Sequence, residues 1–134
     1  MNVDFAFICD YAEARDKINA LGIGFDTIYA SALPARHARF YVVAQLRFST
    51  TEIGVKELNI ELIDADGKDV IKPVVGQMQV NAPPPGTFES TARFTMAFDG
   101  IELKNYGDYL IRIRLEGKEI VNIPLKVIEP PKAA

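Results

Sequence analysis

Apolar side chains recur at every second position along much of this chain. The longest such run is Arg39–Phe48, where five apolar residues alternate with a mostly polar row. A helix would scatter those residues around its axis, whereas a strand places them on one side. Four further segments keep the same spacing, and they are Glu57–Leu62, Thr91–Phe98, Ile111–Glu116 and Val121–Val127. The pattern predicts an all-β fold.

Turn-forming residues separate these segments. Asp64–Gly67 and Glu116–Lys118 are typical of tight turns, since Asp bonds its own backbone and Gly allows a positive φ. The three prolines of Pro83–Pro85 predict an extended loop, and Pro124 predicts an edge strand or a bulge. Seven to nine strands with one apolar face each bury those faces best in two stacked sheets. We therefore predict an antiparallel β-sandwich, and Tyr106–Tyr109 favours the immunoglobulin-like type, in which a tyrosine ties a late strand to a preceding loop.

One stretch, Ala12–Leu21, allows two interpretations. Its residues favour a helix, so it could form one short helix. The alternative is a hairpin with a strand from about Val3 to Ala14, a turn at Arg15–Lys17 and a strand from Ile18 to about Tyr29. The alternation in the residues before Ala12 favours the hairpin.

Length and composition limit the class of protein. The chain has 134 residues, the size of one domain, and we predict a single domain over residues 1–128 with a flexible tail over 129–134.

The net charge of −3 argues against a broadly basic nucleic-acid-binding protein. Cys9 is the one cysteine, so no internal disulfide forms. No apolar run approaches the roughly 20 residues of a membrane-spanning helix, and the N-terminus lacks a cationic signal region. We expect a cytoplasmic protein that does not bind nucleic acid or a membrane.

Familiar cofactor and metal motifs are absent or incomplete. Gly22 and Gly24 supply two of the three glycines of a dinucleotide-binding loop, but strand-like sequence follows them. Asp64–Asp69 groups three carboxylates as calcium loops do, yet the twelfth position of such a loop is Val75, where a glutamate is needed. The sequence predicts a hairpin turn there, no metal and no cofactor.

A local group of basic residues is the first candidate site. Four basic residues that lie near one another in the sequence are candidates for binding an anionic ligand, and they are Arg36, His37, Arg39 and Arg47. The alternative is that the arginines pair with Glu57 and Glu61 across a sheet. His37 is the only histidine, and a lone histidine without a positioned partner does not make a catalytic site.

A strip of outward-facing apolar residues is the second candidate. It comprises Tyr41, Val43, Ile63 and Ile120, which fall on the polar side of their strands. Contiguous exposed apolar residues mark partner sites, and most soluble oligomers are symmetric dimers. The strip therefore predicts a protein interface, with a homodimer as its simplest form; scattered exposed apolar residues are the alternative.

Several segments together resemble a family of small bacterial all-β proteins of unassigned function. They are Phe7–Ala12, Gly22–Tyr29, Leu33–Ala35 and Gly107–Leu125. The chain departs from that family in having Phe25 where relatives carry tryptophan, and Arg15–Lys17 lacks a turn glycine. The resemblance implies a fold and supplies no catalytic residue.

These observations predict a non-catalytic binding or assembly module. One alternative is a small-anion-binding domain that uses the loop Arg36–Arg39. The other is an enzyme whose site is assembled from dispersed residues such as Cys9, Asp10, Asp26 and His37.

Overall fold

Ten strands and one short 3-10 turn form the regular structure of this chain, as described by a computed structural model of residues 1–131, with no side-chain description at Ala38. The strands are β1 (Asn2–Cys9), β2 (Tyr11–Ala14), β3 (Ile18–Leu21), β4 (Thr27–Tyr29), β5 (Ala35–Ser49), β6 (Gly54–Asp64), β7 (Val74–Val80), β8 (Glu89–Leu103), β9 (Gly107–Leu115) and β10 (Lys118–Ile128), and the turn is Thr50–Glu52. Residues 1–131 form no helix that could span a membrane. The end of the predicted tail, 132–134, lies outside the described residues.

The strands form two main sheets and one separate hairpin. One sheet has the order β1-β5-β8, the other has the order β4-β10-β9-β6-β7, and β2 pairs with β3. Neighbouring strands are antiparallel except β4 and β10, which are parallel. The all-β prediction is confirmed.

The two main sheets share one apolar core. The alternate residues predicted to face inward from β5 are all buried, and Phe40 opposes Phe98 of β8 across the first sheet. Ile111 and Ile113 of β9 are buried in the same cluster from the second sheet. Each such side chain contributes about 1.5–3 kcal/mol to stability by leaving water. The sheets therefore stack face to face as the predicted β-sandwich.

The N-terminal segment folds as a hairpin, and the helical alternative for Ala12–Leu21 is wrong. The strands are shorter than predicted, because the first breaks at Asp10 and the second ends at Leu21. The Asp10 N–H donates to the Leu21 carbonyl at 3.0 Å. Gly22 then adopts φ +68°, a left-handed conformation that lets the chain turn away. The continuation forms β4 in a different sheet.

Pro124 lies where β10 has a neighbour on one side only, as at an edge, although β10 is an internal strand of its sheet elsewhere. The register shift of β10 falls between Glu119 and Val121, so the alternative of a bulge at the proline is wrong. β4 pairs only with Lys126–Ile128, which leaves Pro124 flanked by β9 alone. The missing N–H of proline is tolerated there because no strand lies on the other side.

A tyrosine ties β9 to the loop before it, as the sequence predicted. The Tyr109 hydroxyl donates to the Asn105 carbonyl at 2.7 Å, and the Tyr106 hydroxyl donates to the Ala30 carbonyl at 2.8 Å. Both contacts anchor the loop that precedes β9. They agree with the immunoglobulin-like type, which stays a prediction.

Candidate functional site: an apolar groove beside the N-terminal hairpin

The β2–β3 hairpin packs onto the outer face of the three-stranded sheet. Beneath it lies a small apolar cluster of Cys9, Ala12 and Val43, all buried. This cluster is separate from the main core. The half-buried side chains of Phe7 and Tyr41 pack at its margin. The hairpin thus adds a partial third layer to the sandwich.

An apolar groove of about 630 Å³ opens between this hairpin and β1. Its lining contains no charged side chain and consists of Phe5, Phe7, Tyr11, Ile18, Asn19, Ala20, Leu21 and Ile23. We call this surface the hairpin groove. Its volume falls within the range of ligand pockets, which is roughly 300–1,000 Å³.

The groove is shallow and keeps large apolar side chains in contact with water. Leu21 is 68% exposed and Ile23 is 59% exposed. The rings of Phe5 and Phe7 stack with their centroids 5.8 Å apart on one wall. On the other side Tyr11 meets Tyr41 edge to face at 5.4 Å. Such a surface offers dispersion and aromatic contacts to an apolar partner.

The alternation of Phe5, Phe7, Cys9 and Tyr11 along the sequence predicts that these side chains share one apolar strand face. The structure buries only Cys9 fully, because the strand breaks at Asp10 and the hairpin folds back over its end. Alternation identifies which residues share a face but not whether another element covers that face.

Cys9 is a structural residue of the small cluster. Its side chain has no exposed surface, and its Sγ donates to the Tyr11 carbonyl at 3.4 Å. Burial raises the pKa of the Cys9 thiol above its ordinary value. The thiol therefore stays protonated at neutral pH, which makes it a poor nucleophile.

The predicted apolar partner strip does not form as one surface. Tyr41 and Val43 lie on β5 in the three-stranded sheet, whereas Ile63 and Ile120 lie in the five-stranded sheet. Val43 and Ile63 are buried, and Tyr41 and Ile120 are half-buried. Val43 is covered by the hairpin, which the alternation pattern did not reveal.

The predicted basic patch is a set of cross-strand ion pairs. Arg36 lies 3.8 Å from a Glu102 carboxylate oxygen, and Arg39 makes a two-point contact with Asp99. Arg47 lies 2.8 Å from an Asp4 oxygen and 3.4 Å from a Glu89 oxygen. The anion-binding alternative stays a prediction, but its cations already have carboxylate partners.

The pairing partners predicted for these arginines are wrong. Glu57 and Glu61 lie on β6 in the other sheet, so they cannot face β5. Glu61 instead bonds Arg112 at 2.6 Å and Arg114 at 2.9 Å, both on β9. The pairing rule was correct, but the neighbouring strands were not known.

The dispersed residues of the enzyme alternative have separate neighbours. The half-buried His37 packs its ring near the rings of Phe25 and Phe40, with centroids 5.9 and 5.7 Å away. Asp26 accepts a hydrogen bond from the adjacent Thr27 hydroxyl at 2.9 Å.

The acidic turn after β6 is held by its own backbone. Asp64 Oδ1 accepts hydrogen bonds from the N–H groups of Asp66 and Lys68, each at 2.9 Å. These are the self-capping bonds expected of an Asp in a turn. Over residues 1–131, no group of three or more His, Cys, Asp or Glu side chains is arranged to hold a metal ion.

Comparison with protein-family models matches residues 4–128 to a "Family of unknown function (DUF6941)". A search of curated proteins gave no match. The matched region includes all ten strands apart from the first residues of β1.

Proposed function

The chain belongs to this family of unknown function, and we propose that it serves as a non-catalytic binding module whose hairpin groove takes an apolar segment of a partner protein. The observation that carries the proposal is the uncharged, aromatic lining of the groove. Binding sites are typically concave and lined mainly by apolar and aromatic side chains.

The shape of the groove favours a protein segment over a buried small molecule. Leu21 and Ile23 stay more than half exposed, so a ligand in the groove keeps one side in solvent. A segment of a larger partner would cover these side chains from that side. Aromatic residues such as Phe5 and Tyr11 are also the side chains most enriched in protein interfaces.

The same contacts support a role without catalysis. The His37 ring lies against aromatic rings, and the Cys9 thiol is buried and bonded to a carbonyl. A nucleophile needs an adjacent base, and each of these side chains has a different set of neighbours. The lone, buried Cys9 also supports our inference of a cytoplasmic location, where thiols stay reduced.

The groove is tested with a fluorescent apolar probe and two charge-introducing variants. We expect anilinonaphthalene sulfonate to bind the native protein, and Leu21→Asp or Ile23→Asp to weaken that binding by about fivefold or more, because each puts a carboxylate in the apolar lining. Both positions are exposed, so the fold should tolerate the change. Val75→Asp, at a 66% exposed position on β7 outside the groove, is the matched control.

A peptide selection tests the partner class. Random peptides displayed on phage and selected on the native protein should yield apolar, aromatic-rich sequences that bind the Val75→Asp variant and fail to bind Leu21→Asp. A selection that enriches no peptide, or peptides that bind Leu21→Asp as well as the native protein, would contradict the proposed function.

A further inference from the structure

The three-stranded sheet ends at β8, whose outer edge pairs with no strand in the part of the chain that the structure describes. An unpaired edge presents a row of N–H and C=O groups, so proteins usually protect long edges with lysine, proline or a bulge. Over Glu89–Asp99, β8 has neither lysine nor proline and keeps an unbroken register with β5. This edge is therefore able to pair with another strand.

The apolar row of β8 is only partly covered. Ala92, Phe94 and Met96 point toward the core, yet all three are half-buried. Beside them, a groove of about 360 Å³ separates β8 from β7, the last strand of the other sheet. Ser90 lines this groove, and its buried Oγ has no hydrogen-bond partner among the described residues. A strand added beside β8 would cover Phe94 and Met96.

We propose that this strand is β8 of a second copy of the chain, antiparallel to the first about a two-fold axis at Met96. Directly opposite residues of antiparallel strands share a face, so opposite charges there attract. In this register Arg93 lies opposite the partner's Asp99, and the contact occurs twice by symmetry. On the inner face Phe94 lies opposite the partner's Phe98. The pairing gives one continuous six-stranded sheet.

Charge favours this register over those centred on Arg93, Phe94 and Thr95. A register centred on Thr91 sets Arg93 opposite the partner's Glu89, and the Asp99→Lys variant described below separates it from the proposed one. A register centred on Arg93 places that arginine opposite its own counterpart. A register centred on Phe94 places Glu89 opposite the partner's Asp99, which again sets like charges against each other. A register centred on Thr95 leaves Arg93 opposite an uncharged residue. The register proposed above matches opposite charges.

Both charged side chains are already held in position. Arg93 Nε donates to the Gln45 Oε1 at 2.7 Å, and Asp99 accepts from Arg39. No carboxylate lies within ion-pair distance of Arg93 across residues 1–131. Holding side chains in the bound conformation lowers the entropy cost of association. Gly100, with φ +60°, ends the regular part of the edge.

This dimer is independent of the proposed function. The lining of the hairpin groove comes from β1, β2, β3 and the residues that follow β3 and includes no residue of β8, although β2 itself also lies close to β8. The Leu21→Asp variant should therefore still dimerise, and a variant that fails to dimerise should still bind the apolar probe.

A charge-reversal experiment tests the register. We expect sedimentation equilibrium to show a dimer of the native chain at micromolar concentration. Arg93→Glu and Asp99→Lys should each raise the dissociation constant by about tenfold or more, because each sets like charges opposite each other twice. An equimolar mixture of the two variants should recover dimerisation, since both contacts are then between opposite charges. Native mass spectrometry should show one copy of each variant per dimer.

Lys118→Glu is the matched control, because it makes the same charge change at an exposed position at the start of β10, in the other sheet. It should dimerise like the native chain. A native chain that remains monomeric at millimolar concentration would overturn the proposal. The β8 edge would then be available for a strand of a different protein. Dimerisation of Arg93→Glu at native strength, or a mixture that stays monomeric, would overturn the proposal equally.

Discussion

At the scale of single residues, ion pairs between neighbouring strands are prominent side-chain contacts of the sheets. Glu61 is the most enclosed example, bonded by Arg112 on one side and Arg114 on the other. The hydrogen bond from Arg112 stabilises the ionised carboxylate of Glu61, and it is the main reason that the pKa of Glu61 lies below its ordinary value of 4.5. Glu61 therefore binds a proton less readily in the folded state than in the unfolded state.

The stability of the protein should depend on pH through this carboxylate. Because its folded pKa is lowered, its contribution is complete above pH 4.5 and is lost as the pH falls through the folded value. We expect Glu61→Gln to lower the free energy of unfolding by about 1–2 kcal/mol at pH 7. The difference from the native chain should shrink as the pH falls below 4.5. Urea unfolding of both proteins at a series of pH values measures this difference in the free energy of unfolding.

Glu57→Gln serves as the control, because it makes the same change on the same strand at an exposed position. It should change stability by less than about 0.5 kcal/mol. A loss for Glu61→Gln that is the same at pH 3 and pH 7 would contradict the account of this carboxylate.

The sequence could predict that charged side chains pair across neighbouring strands, but it could not predict which residues pair. Alternation places Arg47 and Glu61 on the outer faces of their strands, and that much is correct. Which strands are neighbours depends on contacts between distant segments: Arg47 meets Asp4, 43 residues away along the chain. Local periodicity contains no information about those contacts.

At the scale of elements, the β2–β3 hairpin creates both the buried cysteine and the groove. It is small, with four residues in each strand, and only a minor cluster of side chains holds it to the sheet. Elements with few buried apolar contacts open locally at low free energy. The reactivity of Cys9 therefore reports whether the hairpin is closed.

Thiol labelling should detect opening of the hairpin. We expect Cys9 of the native chain to react slowly with dithionitrobenzoate, because its side chain is buried. Ala12→Asp places a charge beneath the hairpin and should raise the labelling rate by about tenfold or more. Asn19→Lys, which introduces a charge at an exposed position of the partner strand opposite Glu13, should leave the rate near the native value.

Thermal unfolding distinguishes local opening from global unfolding. The Ala12→Asp variant should keep a cooperative transition of the main sandwich, because the cluster is separate from the main core. Equal labelling rates for the native chain and Ala12→Asp would show that the hairpin does not protect Cys9.

The sequence predicted the later strands better than the early ones. β5 and β9 have long, uninterrupted alternation, so their inward faces could be named residue by residue. The early strands are interrupted at Asp10 and again at Gly22, and each interruption redirects the chain to another sheet. Turn residues indicate that a strand ends but not where the next one goes. The hairpin groove arises from that redirection, so it was not predicted.

At the scale of the whole molecule, some strands of the sandwich are hydrogen-bonded to a neighbour on both sides and others on one side only. β5 is paired on both sides by β1 and β8, and β9 is paired on both sides by β6 and β10. β7 ends its sheet with one free side. This strand order carries both proposals, because it fixes which edge is open and which face the hairpin covers.

Amide hydrogen exchange followed by NMR in dilute solution tests this strand order most directly. We expect the slowest exchange along β5 and β9, where both neighbours supply hydrogen bonds, and fast exchange at alternate amides of β7, where one neighbour is missing. Amides of β5 that exchange as fast as the free amides of β7, or a continuous helix-like block of protection over Ala12–Leu21, would contradict this strand order.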